Sequence, residues 1–274
     1  MPEGPEIRRA ADLLQAAIAA KGLTKVWFKF AALKEHEATL MASTVVGFEA
    51  HGKALLTHFA CGLSIYSHNQ LYGVWKIALR GKLPKTSRDL RLAIHTDKAA
   101  VFLFSASDIS VWRTESLKEH PFLRKLGPDA LDPKLNAETL AKRLMSPRFV
   151  GKALAGLLLD QAFLAGMGNY LRTEVLYYAG LHPALKPKDL SELERERLAE
   201  QLLAVTRRSY ATGGVTNEAA IAGVLQSDGA PFEGYRFAAF DRAGRACYQC
   251  GNTIERMEVG GRRLYFCPEC QSKG

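Results

Sequence analysis

Beyond Pro5, apolar residues recur at helical spacing at Ile7, Ala10, Ala11, Leu14, Ala17 and Ile18, with Arg8, Arg9, Asp12 and Gln15 on the other face and Gly22 as the stop. That pattern predicts a helix packed by one face. From Thr24 to about Trp112 the periodicity changes to short β-rich runs at Val26–Phe28, Val45–Phe48, Leu63–Tyr66, Gly73–Ile77 and Val101–Phe104. Polar turns separate them, as in an antiparallel sandwich. After the Gly127-Pro128 and Asp132-Pro133 breaks, helical spacing returns at Glu138–Met145, Leu154–Leu164, Asn169–Ala179 and Ser191–Tyr210. The last opens with Ser191 and Glu194 in capping-box positions. Thr212–Gly234 is Gly-rich, polar and weakly patterned, and reads as a mobile loop or linker. No internal repeat or low-complexity tract interrupts this order.

At 274 residues the chain has room for two modest domains with real cores, or one large domain with an appendage. Its 37 Lys and Arg against 28 Asp and Glu give a net charge of +9, which favours a polyanionic partner such as nucleic acid without separating it from acidic lipid or protein. No apolar run approaches the roughly 18 residues of a membrane span, and the N-terminus lacks a basic stretch followed by a hydrophobic one. A soluble, intracellular protein is expected. Of the five cysteines, Cys61 stands alone in an apolar run and is expected to be buried filler.

The other four carry a stronger signal. Cys247-x2-Cys250 and Cys267-x2-Cys270, sixteen residues apart, have the spacing of a zinc ribbon, in which two knuckles close one tetrahedral site of four thiolates. Disulfides are the competing explanation, and paired CxxC knuckles in an intracellular chain favour zinc. Four protein ligands leave no position for water, so the one Zn2+ would be structural. Arg256, Arg262 and Arg263, with Tyr265 and Phe266, lie between the knuckles; projecting arginines suit phosphate, and a solvated basic face is the plainer alternative.

The chain opens Met1-Pro2-Glu3-Gly4-Pro5-Glu6. Methionine before a small residue is normally removed, which would leave Pro2 with a free secondary amine. An α-amino group ordinarily titrates at about pH 7.7 to 8.0, so a useful fraction is neutral near pH 7 and can attack an electrophilic carbon to give an iminium. Alternatively, the same residues merely open a helix, with Pro5 in the first turn and Glu6 complementing the macrodipole. Gly47-x4-Gly52-Lys53 imitates a P-loop, yet Ala54 replaces the Ser or Thr and the following Leu55–Phe59 looks like strand; Gly166-Met167-Gly168 begins a dinucleotide fingerprint without the preceding strand. Both nucleotide readings fail. Gly166–Asn169 instead predicts a tight turn whose following helix N-terminus could seat a phosphate. Seven scattered histidines show no metal or triad spacing.

Taken together, the Pro-Glu terminus, the β-rich first half, the turn at Gly166–Asn169 and the C-terminal knuckles resemble the formamidopyrimidine and endonuclease VIII family of DNA glycosylases. The runs Met1–Ala10, Tyr66–Gly73 and Leu158–Gly166 carry the likeness most specifically. The resemblance implies an α+β multidomain protein: an N-terminal helix plus antiparallel β-sandwich forming a catalytic domain (1–130), a helical helix-two-turns-helix DNA-binding domain (131–215), a loop or linker (216–234) and a zinc-ribbon hairpin (235–274). It further implies a monomeric, nucleoid-associated cytoplasmic enzyme acting on double-stranded DNA that contains damaged bases or abasic sites. Such an enzyme excises oxidised pyrimidines and cuts the strand by β,δ-elimination.

By position, Pro2 would be the nucleophile, Glu3 the general acid, Lys53 an aid to β-elimination and Arg262 the phosphate grip for the later elimination. Gln70, Leu71 and Tyr72 would fill the gap left by a flipped base. Leu71 and Tyr72 could equally be strand core on the sequence itself. Glu6, Lys125 and Asn169 are the remaining DNA contacts the resemblance implies, and Cys247, Cys250, Cys267 and Cys270 hold the zinc. The Thr212–Gly234 stretch is longer than the resemblance leads one to expect, which leaves lesion range, including a preference for oxidised purines, open. A non-catalytic zinc-ribbon DNA-binding protein is the main alternative, and a proline-based tautomerase a remoter one, since those chains are short and need neither zinc nor a basic arm.

Overall fold

The computed structural model describes residues 2–273, which divide into one unit ending at Lys125 and a second beginning at Leu126. The first unit runs α1 (Gly4–Ile18), β1 (Leu23–Phe28), α2 (Glu37–Met41), β2 (Val45–His51), β3 (Ala54–Phe59), β4 (Leu63–His68), β5 (Val74–Leu79), β6 (Leu90–Thr96), β7 (Ala99–Phe104) and β8 (Asp108–Arg113). These strands make two four-stranded antiparallel sheets, ordered β1-β6-β7-β5 and β2-β3-β4-β8.

The predicted apolar stripe of α1 explains how the sheets are joined. Ile7, Ala11, Leu14 and Ile18 are fully buried in one cluster with Val26, Phe28, Leu92, Ile94, Val101 and Leu103 of the first sheet and Val45, Leu55, Phe59 and Ile65 of the second. Burying a side chain such as Ile or Leu stabilises by roughly 1.5–3 kcal/mol, so this one helix face contributes several times that amount. The outer face of the second sheet is also apolar: Ala54, Leu56 and Tyr66 are covered by Trp112 and by the short 3-10 turns Thr114–Glu119 and Leu123–Lys125. A sheet buried on both faces loses its polar alternation.

The second unit contains α3 (Ala137–Leu144), α4 (Leu154–Leu157), α5 (Asn169–Ala179), α6 (Glu192–Thr212), α7 (Ala219–Ser227), α8 (Phe232–Tyr235) and the antiparallel hairpin β9 (Glu255–Val259) and β10 (Arg262–Phe266). Caps set the helix ends. Asn136 Oδ1 accepts the Thr139 amide at 2.9 Å, Ser191 and Glu194 form the expected box, and Gly180 and Gly213 close α5 and α6 in the left-handed region. Phe237, Leu264 and Phe266 join the helical core built from Leu140, Leu164, Leu171, Leu198 and Leu202, so helices and hairpin share one interior.

Two expectations change. Leu154–Leu164 is a single turn, α4, followed by turns, because side chains intercept the backbone: Asp160 Oδ1 accepts the Ala162 amide at 2.9 Å, while Gln161 accepts from Gly166 N–H and donates to Met167 O at 2.9 Å. Gly127 packs so closely here that a Cβ would lie 2.4 Å from Ala162 O. The supposed loop at 212–234 carries α7 and α8, and its ends are tied, since Thr216 and Asn217 N–H both donate to Arg236 O at 2.8 and 3.0 Å. No helix among the described residues is long and apolar enough to cross a membrane.

Glu174 joins these parts. Fully buried on α5, it accepts from Ala238, Ala239 and Phe240 N–H, each at 2.8 Å, and from the Thr216 hydroxyl at 2.7 Å. Removing the carboxylate leaves two buried amides and a partly buried one without their acceptor, at about 1–3 kcal/mol for each buried one. Glu174→Ala should therefore lower stability of this unit by about 3 kcal/mol or more in chemical denaturation. A loss under about 1 kcal/mol would contradict the role given to Glu174.

Candidate functional site

Pro2 and Glu3 sit at the head of α1. Glu3 is the N-cap residue, with extended backbone, and only 3% of its surface is exposed; Pro5 occupies the first turn and Glu6 accepts the Glu3 amide at 2.9 Å. That bond gives Glu6 a capping role of its own. Pro2 is half-buried. Because the apolar face of α1 lies in the sandwich core, the first turn cannot fray freely, and whatever chemistry Pro2 and Glu3 perform is done from a fixed position. The removal of Met1 falls outside the described residues.

Lys53 lies in the β2–β3 turn behind Gly52, whose φ is +60°, and is buried. The β4–β5 turn is its neighbour: Ala54 pairs with His68, and Lys53 is one of the charges acting on that imidazole. Burial holds His68 below the ordinary imidazole range, Asp108 opposing the shift and Lys53 adding to it. A neutral His68 can accept a hydrogen bond, and its Nδ1 takes the Gln70 amide at 3.0 Å.

From Gln70 the chain doubles back through Leu71 and Tyr72, closed by Gly73 N–H to Asn69 O at 2.7 Å. Leu71 and Tyr72 are 58% and 65% exposed, which rules out the strand-core alternative. Tyr66 is buried, donates to Asp108 Oδ2 at 3.2 Å and stacks on His120 at 3.9 Å; burial and the Asp108 carboxylate push its phenol well above the ordinary range.

In the second unit, Gly166 turns with φ +96° and Asn169 is the first residue of α5. Its side-chain amide donates to Arg263 O at 2.8 Å, and its Oδ1 accepts from Arg172 at 2.5 Å. Asn169 thereby stands against the strand that carries Arg262. The Gly260-Gly261 pair, both at positive φ, makes the tight β9–β10 turn, and Arg256, Arg262 and Arg263 are exposed on the hairpin. Lys125, exposed, ends the first unit.

The four ribbon cysteines converge: their Sγ atoms all lie within 4.8 Å of one another, with Cys247–Cys270 at 3.9 Å and Cys250–Cys267 at 3.4 Å. A disulfide needs about 2.05 Å, whereas the edge of a tetrahedral Zn–thiolate site is about 3.8 Å. The donor set fits structural zinc, and it is the one such group among the described residues. Outer support comes from the Tyr177 hydroxyl, 3.3 Å from Cys247 Sγ, and from Arg242, stacked 3.5 Å over Tyr248 while donating to Ala246 O at 2.8 Å.

Cys61 corrects an expectation: it is exposed in the β3–β4 turn, its amide donating to Ser43 Oγ at 3.0 Å. An apolar run that ends in Thr57-His58-Phe59 does not say where the strand stops. Three further groups were not legible in the residue order. Glu174 and the fully buried Arg172, which donates to Ala155 O at 2.9 Å, hold α5 in place. His58 links Ser64 Oγ at 2.7 Å with Glu49 Oε2 at 3.2 Å, the outline of a hydrolase relay, but Ser64 has no exposed surface and cannot meet a substrate.

Three family models match: the formamidopyrimidine-DNA glycosylase N-terminal domain over residues 1–106, the formamidopyrimidine-DNA glycosylase H2TH domain over 126–220, and a zinc finger found in FPG and IleRS over 244–273. Proteins named Endonuclease 8 from Salmonella agona (strain SL483) and Escherichia coli O17:K52:H18 are each 50% identical over 271 residues, 99% of this chain and all of theirs. Among solved structures, Lactococcus lactis formamidopyrimidine-DNA glycosylase bound to DNA with an abasic site has a TM-score of 0.80 at 20% identity, covering 99% of this chain and all of that one. The same enzyme with DNA containing an oxidised pyrimidine has a TM-score of 0.81.

Elemental analysis should find zinc in the purified protein, lost together with the hairpin's protection from proteolysis on exhaustive chelation. Cys247→Ser, which removes one of the two buried ligands, should do the same. Zinc held at the wild-type level by that variant would contradict a closed four-thiolate site.

Proposed function

The chain belongs to the formamidopyrimidine and endonuclease VIII family of DNA glycosylases, and on that premise we propose that its Pro2 amine excises oxidised pyrimidines such as thymine glycol and dihydropyrimidines through a covalent intermediate. That it is a DNA glycosylase and abasic-site lyase of base excision repair follows from the family; the lesion class and the roles of individual residues are the proposal. The observation that carries it is the placement of Pro2 and the buried Glu3 at the head of a helix locked into the sandwich core.

Pro2 nitrogen attacks the sugar C1′ as the bond from C1′ to the damaged base breaks, and Glu3 supplies the proton for the leaving side. The N,O-acetal so formed opens as its C1′–O4′ bond breaks and O4′ takes a proton, and the iminium this leaves at C1′ acidifies the C2′ hydrogen. Loss of that proton expels the 3′ phosphate, and a second elimination expels the 5′ phosphate. Lys53, in the β2–β3 turn, assists the first elimination, and Arg262 on the β9–β10 hairpin grips phosphate for the second. Zinc performs none of this chemistry; it holds the hairpin.

A base in a duplex is out of reach of a terminal amine, so it must be extruded and the vacancy filled. The exposed Leu71 and Tyr72, next to the amide of Gln70, form an apolar wedge suited to that task. Asn169 and Lys125 contact backbone phosphates. A lysine there meets phosphate as a point charge, not a fork. The lesion class rests on the 50% identity, over 271 residues, to the proteins named Endonuclease 8. The enzyme acts as a monomer in the cytoplasm, with one zinc ion.

Borohydride reduction during reaction with thymine-glycol duplex should trap a covalent protein–DNA adduct with the wild type and none with Pro2→Gly bearing an acetylated terminus. A normal adduct yield from the blocked protein would refute the mechanism, leaving a non-catalytic binder if neither forms one. Leu71→Ala should slow excision from intact duplex by about tenfold, since a lost wedge forfeits part of an unstacking cost of a few kcal/mol, while cutting at a preformed abasic site changes less. Equal losses in both reactions would remove Leu71 from the wedge.

A further inference from the structure

The chain between β5 and β6 carries charge that neither the wedge nor the reacting groups use. In residues 76–91, Lys76, Arg80, Lys82, Lys85, Arg88 and Arg91 stand against Asp89 alone, a net charge of +5 in a chain of +9. Arg91 is paired with Asp89 at 3.3 Å, and the Arg88 guanidinium donates to the Tyr72 carbonyl. Arg80, Lys82 and Lys85 are exposed and have no ion-pair partner among the described residues. Like charges gathered on one short segment repel, and a polyanion laid along them relieves that repulsion.

Sheet topology fixes where they lie. β5 and β6 both run antiparallel to β7, with Val74 and Leu90 each opposite Phe104 and Leu79 opposite Ala99. The chain therefore leaves β5 at the end far from the wedge turn and has to return along the strand before β6 can begin. Two bonds tie the return: Lys76 Nζ donates to Lys85 O at 3.4 Å, and Arg88 reaches Tyr72. The result is a strap whose cations lead away from the wedge by the length of β5. Five residue steps of a strand cover about 17 Å, the rise of about five base pairs.

We propose that this strap, residues 80–89, is a phosphate-binding arm for the duplex that flanks the lesion, with Arg80, Lys82 and Lys85 touching the backbone up to about five base pairs from the extruded base. The placement rests on the reading that Leu71 and Tyr72 enter the duplex, which brings the near end of the strap to the DNA surface. Such contacts add affinity and salt dependence without reading sequence. The exposed Leu79 and Leu83 at the far end would also suit an acidic membrane, but the junction with Tyr72 favours DNA.

Binding is measured on duplexes holding a tetrahydrofuran abasic analogue, which offers the amine no group to displace. One duplex has about twelve base pairs on each side of the analogue, and two others are cut back to about two on one side or the other, well inside the reach of the strap. The triple variant Arg80→Gln, Lys82→Gln, Lys85→Gln, checked for a wild-type melting temperature, should bind the long duplex about ten- to hundredfold more weakly at about 0.1 M salt. Its plot of log affinity against log salt should be shallower by about 2 to 3, since each phosphate contact contributes about 0.9. Removing one particular flank should bring the wild type level with the variant, and removing the other should leave the gap between them. Wild-type affinity and slope in the variant overturn the proposal. So does a loss of equal size on all three duplexes, which means a general field and no contact with the flank. DNA binding kept while retention on phosphatidylglycerol vesicles is lost assigns the strap to a membrane and also overturns it. The wedge is judged separately, by the Leu71→Ala excision rate on intact duplex: failure there with the flank dependence intact removes the wedge and leaves the arm.

Discussion

The burial of one face of α1 between two sheets is the constraint on which the proposed chemistry depends. Chain ends are ordinarily the least ordered part of a domain. A nucleophile on a side chain can be aimed by its own rotamers, but a backbone amine has no tether except the chain that follows it. Here Ile7, Ala11, Leu14 and Ile18 fix that chain in the core, and the capped first turn transmits the fixation to Glu3 and Pro2. Losing the packing of α1 would misplace the reacting atom even with every site residue present.

The same sheets carry the other working parts of the first unit. Lys53 and the Gln70–Tyr72 turn leave adjacent strands at one end, β3 and β4, and the Ala54–His68 and His68–Asp108 pairings bring the supports of the turn into register. Adjacent strands thus place the exposed Leu71 and Tyr72 close to the buried Lys53. In the second unit, α5 plays the organising part: Glu174 binds three amides beyond α6, while Asn169 and Arg172 bind the carbonyl of Arg263 on the zinc hairpin. The hairpin is joined to the helical core by these bonds as well as by the packing of Leu264 and Phe266.

Much of this was legible in the residue order where a periodic pattern or a local spacing encodes it. The stripe on α1, the Asn169–Ala179 helix and the two CxxC knuckles are of that kind, because each follows from neighbours along the chain. What was not legible arises from contacts between distant residues or from side chains competing with the backbone. Leu158–Leu164 has helical spacing, but Asp160 and Gln161 divert the amides around them. The Ala219–Ser227 helix was hidden by glycines on either side and by an apolar composition that shows no face, with only Ala222 buried. Strands β6 and β8 escaped notice because His95, Ser110 and neighbouring polar residues break their apolar runs. Glu174 and Arg172 look like surface residues in the sequence and acquire their roles from partners brought in by the fold.

The most direct measurement of the central claim is the site of attachment in the reduced protein–DNA adduct, mapped by mass spectrometry after proteolysis and nuclease digestion. The sugar remnant should lie on the nitrogen of Pro2, in a peptide that begins at that residue. A remnant on Lys53, or an adduct peptide that still begins at Met1, would contradict the account.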